Sequence, residues 1–191
     1  MPVALIVLLV IIVVVVLGAI LFYNGLVRKR NTVDESYAQV EVQLKRRHDL
    51  VPNLVNAVKD YMSFEQDVLT KVTEARANAV AAGSQGVAEQ ASAENMLTGA
   101  LRSLFAVAEN YPTLKASENT LQLQEELTTT ENQLAFARQF YNDTVMQFNM
   151  RQQVFPSSLV AGFFAFKPAE YFTAPDEDRA TPHVDLSLPS A

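Results

Sequence analysis

Two hydrophobic patterns meet in the first sixty residues. From Val3 to Phe22 (VALIVLLVIIVVVVLGAILF) no side chain is charged or strongly polar. From Val33 onward the apolar positions thin to Val33, Tyr37, Val40 and Leu44, then Val51, Leu54, Val55, Val58, Met62, Val68, Leu69 and Val72. Steps of three and four sustained this long predict an amphipathic helix close to the coiled-coil period. Asn31 or Thr32 can cap its start, with Asp34 and Glu35 in the favourable first turn. An alanine-rich continuation carries it to Ala82, where Gly83-Ser84-Gln85-Gly86 stops it. A second helix is expected from about Val87 to Asn110, with Met96, Leu97, Leu101, Leu104 and Val107 on one face and Tyr111-Pro112 at its end. A third starts near residues 113–117 and carries Leu121, Leu127, Leu134, Phe136, Phe140, Val145 and Phe148 before Phe155-Pro156 closes it. Strand signals are missing before residue 155, and the stretch after Phe172 has the Pro, Asp, Glu and Ser content of a disordered tail.

The expected fold class is therefore all-α: an N-terminal transmembrane helix continuing into an antiparallel bundle of three to four long helices. Three segments follow: a membrane anchor at 1–27, a helical bundle at 28–172 and a disordered tail at 173–191. Roughly 20 apolar residues at helical rise cross the ~30 Å hydrocarbon core. A cleaved signal peptide would call for a basic region ahead of the run and a shorter run. The flanking positive charge, Arg28, Lys29 and Arg30, lies wholly on the C-terminal side, which predicts a cytoplasmic bundle and an N-terminus outside.

Length sharpens the arrangement. A first helix of about 50 residues beyond the anchor would reach ~75 Å, whereas a second of about 24 covers only ~36 Å. The second helix should then pair with roughly residues 58–82. The stripe Val33, Tyr37, Val40 and Leu44 is left to the third helix, the C-terminal segment or another copy of the chain. Chains confined to one bilayer meet at high effective concentration, so self-association through this stripe is the expectation.

One stretch resists the pattern: LKRRHDLVPNL, Leu44 to Leu54, loads a helix with charge and then places a proline in it. Asp49 can cap a restarted helix with Pro52 in its first turn, which would make a kink where stalk meets bundle. A single bent helix with solvated basic residues is the other reading. Phe155 to Phe172 holds five of the eleven phenylalanines and is expected to pack across the end of the bundle far from the bilayer, or against a neighbouring protomer, because the third helix is read as running away from the membrane.

Composition narrows the chemistry. The chain has no cysteine, two histidines (His48 and His183) and six glycines, too scattered for a phosphate-binding loop. Of 15 lysines and arginines, three precede the first acid, Asp34; the other 12 face all 21 aspartates and glutamates. So acidic a surface repels a phosphate backbone, which argues against nucleic acid. A carboxylate-bridged metal site in a bundle needs Glu-x-x-His pairs. Glu125, Glu126 and Glu131 have no histidine near them and read as a solvated acidic face, and His48 as a hydrogen-bonded structural residue. No nucleophile–base constellation can be written, so neither enzyme activity, metal nor cofactor is expected. Arg47, Glu94, Glu109 and Arg138 fall beside apolar positions and are expected to pair between helices, fixing register more than adding stability.

Five stretches, YNGLVRKRN, QVEVQLKRRHDLVPNLVNAVKDY, ENMLTGALRSLFAVAENYPTLKASEN, TENQLAFARQFYND and FPSSLVAGFFAFKPAEYF, occur in an order and spacing that together resemble the bacterial LemA family, from Tyr23 to about Asp185. The resemblance implies an N-terminal transmembrane helix, an antiparallel helical bundle and a place in the bacterial inner membrane. It implies no assigned enzymatic activity. Relatives include a protein involved in building magnetosome membranes, and family genes often neighbour membrane-bound zinc proteases. The expected function is a self-associating scaffold that organises the membrane or its proteins, or alternatively a regulatory adaptor of a membrane-bound enzyme such as a zinc protease. The expected partners are the lipid bilayer, further copies of the chain and a membrane protease.

Overall fold

The protein is described by a computed structural model over residues 2–172, except 63 and 116. Among the described residues it is all helix, without strand. The expected tail at 173–191, with His183, lies outside the described residues.

Helix α1, Pro2–Lys59, is a single element of 58 residues. The apolar run and the amphipathic stripe thus form one rod, about 87 Å long at 1.5 Å per residue. It is followed by α2 (Gln66–Ala82), α3 (Val87–Ala108), a single turn α4 (Pro112–Lys115), α5 (Glu118–Gln153) and a short α6 (Ser157–Phe163). Cross-contacts fix the directions. Arg76 of α2 lies level with His48, Glu94 of α3 with Arg47, and Tyr111 after α3 with Glu65. α5 then descends beside α1: Glu131 meets Arg47, Thr144 meets Ser36, Gln147 meets Lys29 and Arg151 meets Phe22. The upper half is an up-down-up-down four-helix bundle, and the lower half is α1 paired with α5, joined by the first turn of α3, by α6 and by the segment that follows α6.

This corrects the expected first helix. It does not run on to Ala82 but ends at Lys59, and α2 begins only at Gln66; between them the Tyr61 and Met62 amides both donate to the Val58 carbonyl at 3.1 and 3.0 Å. Met62, wholly buried, plugs the turn. The apolar period crosses the break in step because the end of α1 and all of α2 line the same core, through Val51, Leu54, Val58, Leu69, Val72, Ala75 and Ala79.

The restart expected at Asp49 and Pro52 does not occur: the helix neither stops nor restarts there, as in the single-helix reading, and Asp49 is an exposed mid-helix residue and not a cap. A proline in a helix withholds the N–H that would bond four residues back, here to the carbonyl of His48. Arg76 of α2 supplies the missing donor, its Nε reaching the His48 carbonyl at 2.7 Å. The neighbouring helix repairs the backbone, so α1 passes through.

The stripe is covered within its own chain. Val33, Val40 and Leu44 are buried with Leu26 against Leu134, Tyr141, Val145 and Phe148 of α5, and Tyr37 packs on the edge of this second core. The expected self-association surface at Val33, Tyr37, Val40 and Leu44 is therefore not available. α5 buries Leu127, Leu134, Tyr141, Val145 and Phe148, while Leu121, Phe136 and Phe140 face outward. Phe136 follows Leu134 by two residues, about 200° around a helix, so the two cannot share a face.

The segment after α6 is an extended strap that climbs back along α5. The Asn149 amide group both donates to the Ala169 carbonyl at 2.9 Å and accepts from the Ala169 N–H at 2.8 Å. Asn142 does the same for Phe172, at 3.0 and 2.9 Å. Seven residues of helix advance about 10.5 Å and three of extended chain about 10 Å, so two asparagines a double turn apart match backbone sites three residues apart. Between them the Tyr141 hydroxyl donates to the Glu170 carbonyl at 2.7 Å. Burial, then Tyr37, Glu170 and Asp34, push its pKa up to about 12, so it stays a protonated donor through physiological pH.

The Pro52–Arg76 repair is testable in full-length protein in detergent. Arg76→Ala should lower the unfolding free energy by about 1–2 kcal/mol, since it orphans a carbonyl. In a Pro52→Ala background, where residue 52 recovers its own N–H, the same change should cost clearly less. Denaturant titration of the four proteins reads the cycle, and equal costs in both backgrounds would refute the repair.

Candidate functional site

The most unusual chemistry sits between the two cores. On α1, Arg47 lies between Leu44 of the lower core and Val51 of the upper; on α3, Glu94 lies between Ala91 and Leu97; on α5, Glu131 lies between Leu134 and Leu127. Three helices thus place a charged residue at the same layer, each where periodicity calls for an apolar one.

The side chains of Arg47 and Glu94 are fully buried. Arg47 Nη1 donates to Glu94 Oε2 at 2.7 Å and, more weakly, to the Glu94 carbonyl at 3.3 Å. Its Nη2 donates to Thr98 Oγ1 at 2.7 Å, and that hydroxyl donates on to the Glu94 carbonyl at 3.0 Å. Nε stands 2.6 Å from Glu131 Oε1, an ion pair without hydrogen-bond alignment. His48 Nε2 takes the other Glu94 oxygen, Oε1, at 2.6 Å. Helical spacing produces this set: 47 and 48 are adjacent, so both reach Glu94, and Thr98 is one turn beyond it.

Arg138, two turns below Glu131 on α5, stacks its guanidinium 4.6 Å from the centre of the Phe172 ring. Burial lowers its pKa, and the like charge of Arg47 adds to this; Glu94 and Glu131 act in the opposite sense. It therefore joins the layer through its field and seals the strap by cation–π contact. Farther down α1 the Tyr37 hydroxyl donates to Gln90 Oε1, a second α1–α3 tie. Burial, then Glu41, raise the Tyr37 pKa.

Of the residues expected to pair between helices, the structure brings Arg47 and Glu94 together and places Arg138 beside them. Glu109 stands apart: it is exposed at the end of α3, lining a cleft of about 250 Å³ with Phe105, Ala108, Leu114, Gln124 and Thr128. Glu131 departs from the solvated acidic face on which it was expected, being half-buried on Arg47, whereas Glu125 is exposed. The signal for Glu131 was available: it is four residues after Leu127 and three before Leu134, on the core side. Nothing in the sequence pointed to the Asn142 and Asn149 clamps, because two polar residues on a helix look like any solvated pair.

Chemically the layer is closed. Arg47 and Glu94 bond to each other, to Thr98 and to His48, Arg47 Nε is left to the ion pair with Glu131, and neither Arg47 nor Glu94 reaches solvent. Among the described residues, no three His, Asp or Glu side chains converge as metal ligands. An arrangement of this kind sets register between helices.

Fold and site together define a helical bundle built on one apolar helix long enough to cross a membrane. The LemA family model matches residues 36–186, and the chain belongs to that family. It is similar to magnetosome protein MamQ 1 of Paramagnetospirillum magneticum, 26% identical over 177 residues that cover 80% of this chain and 65% of the relative. It is also similar to MamQ of Magnetospirillum gryphiswaldense, 24% identical over 196 residues (88% and 72%), and to Protein LemA of Metamycoplasma hominis, 26% identical over 166 residues (86% and 74%). The chain thus spans about two thirds of the length of the magnetosome relatives. The apolar helix and the family together indicate a single-pass, membrane-associated protein.

Removing one member of the layer strands a buried charge. Arg47→Met should destabilise by roughly 3–5 kcal/mol. Arg47→Met combined with Glu94→Leu should recover a large part of that loss, because no fully buried charge is then left unpaired and half-exposed Glu131 can turn to solvent. Denaturant midpoints of full-length protein decide it; a double variant as unstable as the sum of the two single variants would show that the layer does more than set register.

Proposed function

We propose that the chain is a non-enzymatic, membrane-anchored scaffold that holds a four-helix head at fixed height above the bilayer and associates laterally with other copies of itself. The observation that carries this reading is α1, which runs without a break from the apolar segment through both cores. A bundle whose first helix is also the anchor cannot tilt independently of it. The buried charges serve as ties between helices, which supports a structural and not a catalytic use. The relatives named magnetosome proteins support a task at a membrane. A cytoplasmic head at the bacterial inner membrane is supported by Arg28, Lys29 and Arg30, and by Arg151 and Lys167 on the same side of the apolar run.

With the α1 stripe covered, lateral association needs another surface. Val42, Phe136 and Phe140 are exposed together on the α1–α5 stalk, 63%, 73% and 48% accessible, around a shallow hollow with Gln39, Gln43, Gln133 and Ala137. The patch faces sideways, about 30 Å up the rod from Phe22 at helical rise, where anchored copies approach one another.

Two measurements test this. Cysteine crosslinking in membranes, with Phe136→Cys in this cysteine-free chain, should trap dimers or larger species, and Phe140→Ser should reduce them several-fold with helicity unchanged. Monomers that crosslink instead to a second membrane protein would favour the adaptor reading. Protease added to sealed spheroplasts should leave the bundle intact; rapid cleavage at residues 60–65 would place the head outside.

A further inference from the structure

The antiparallel descent of α5 has a consequence at the anchor. Arg151, near its end, lies with its guanidinium carbon 5.6 Å from the centre of the Phe22 ring, the last residue of the apolar run. The chain then continues through Val154 to Phe166, 13 residues without a charge, between the cations Arg151 and Lys167. α6 and its turn lie against α1 well inside the apolar run: Pro156, Leu159, Val160, Phe163 and Phe164 face Val15, Gly18, Ala19 and Phe22. The expectation that this aromatic segment sits at the far end of the bundle is thereby overturned.

We propose that residues 154–166 form a second membrane-inserted element, a re-entrant wedge that enters only the leaflet on the bundle side and rests against α1. This inference relies on the reading that α1 spans the bilayer. Its outer face contacts lipid acyl chains. Three independent features carry it. Phe155, Leu159 and Phe163 are 76%, 66% and 84% accessible, and Leu159 and Phe163 lie beside the apolar run of α1. An uncharged stretch of 10–14 residues is too short to cross but suits a re-entrant or interfacial segment.

The second feature is the backbone, which hydrocarbon requires to be self-satisfied. Apart from Phe155 and Ser157 at the turn into α6, the amides that flank the short helix, Val154, Ser158, Leu159, Phe164, Ala165 and Phe166, bond to carbonyls within the segment or to Met150. The single Ser157 hydroxyl proton is shared between the Arg151 and Val154 carbonyls, 2.6 and 2.8 Å from Oγ, at the open end of α5. Ala165 takes the left-handed conformation, φ 52°, and the Phe166 N–H returns to the Ala161 carbonyl at 3.0 Å. That closure ends α6 and turns the chain back toward the headgroups.

The third feature is depth. Val15 lies seven residues from Phe22, about 10 Å along the helix, within the ~15 Å half-thickness of the hydrocarbon core. At the upper rim Tyr23 stacks with Phe164 and Phe166, ring centres 4.7 and 5.8 Å apart, as an interfacial aromatic group. Arg28, Lys29, Arg30, Arg151 and Lys167 stand above it at headgroup level. A wedge held in one leaflet adds area to that leaflet alone.

The absence of cysteine permits a direct test. Full-length protein carrying Leu159→Cys, Phe163→Cys, Leu9→Cys or Phe64→Cys is labelled with an environment-sensitive fluorophore. Each is reconstituted in vesicles of phosphatidylethanolamine and phosphatidylglycerol, with or without spin-labelled lipid. Positions 159 and 163 should emit in the blue and be quenched by acyl-chain spin labels several-fold more than position 64 on the distal loop. Water-like, unquenched emission at 159 and 163 with quenching at position 9 would overturn the wedge and leave the anchor standing. Absence of quenching at position 9 as well would remove the membrane reading itself. Blue emission at 159 and 163 that lipid labels fail to quench, and that reddens on dilution with excess lipid, would assign the face to a second copy and overturn the wedge.

Discussion

A guanidinium sealed from water must be answered at fixed distances from fixed directions, and Arg47 imposes that demand on the whole molecule. Its partners come from α3 and α5, and the carboxylate it holds on α3 is also the acceptor for His48. An apolar layer would tolerate a helix sliding by a turn, since one aliphatic contact replaces another at little cost. A charged layer does not, because a displaced helix leaves an ion unpaired in a low-dielectric interior. The two cores above and below can therefore be built from ordinary leucine, valine and alanine contacts, while their mutual alignment is held in one place.

That alignment has its longest reach along α5. Once Glu131 is set against Arg47, each step toward the C-terminus of α5 is matched by a step toward the N-terminus of α1, through Ser36–Thr144 and Lys29–Gln147 to Phe22–Arg151. The length of α5 below the layer thus decides where the chain leaves the stalk, and it leaves at the rim of the apolar segment. The strap returns along the same helix, clamped at Asn149 and Asn142, and ends with Phe172 buried under Arg138. The charged layer, the strap and the foot beside the anchor are consecutive consequences of one register.

Local chemistry and tertiary repair divide the work at Leu44–Leu54. Lys45 and Arg46 are solvated, as any basic pair on a helix surface would be, whereas Arg47 is not accessible at all. Pro52 carries an unmistakable signal of interruption, yet the interruption is cancelled by a side chain 24 residues further on. A proline rule sees the donor that is lost; it cannot see a donor arriving from another helix. Phe136 and Phe140 show the opposite case: large apolar residues suggested a core face, and angular position on α5 turns them outward.

The sequence by itself determined what depends on short range and on composition. The apolar run is too long and too pure for anything but a membrane-scale helix. The three-and-four spacing makes α1, α3 and α5, and the glycine-bearing turn at 83–86 and Pro112 separate helices by their own backbone restrictions. Arg47 and Glu94 were legible as paired because charges beside apolar positions must find partners. Only the tertiary structure decided which partners and which direction. The break between α1 and α2 is hidden because both sides of it feed one core with an unbroken period. The course of α5 back to the bilayer is hidden because periodicity records which face of a helix is buried and not which end points to the membrane. The destination of the Phe155–Phe166 segment follows from that course, and so could not be read from the segment itself.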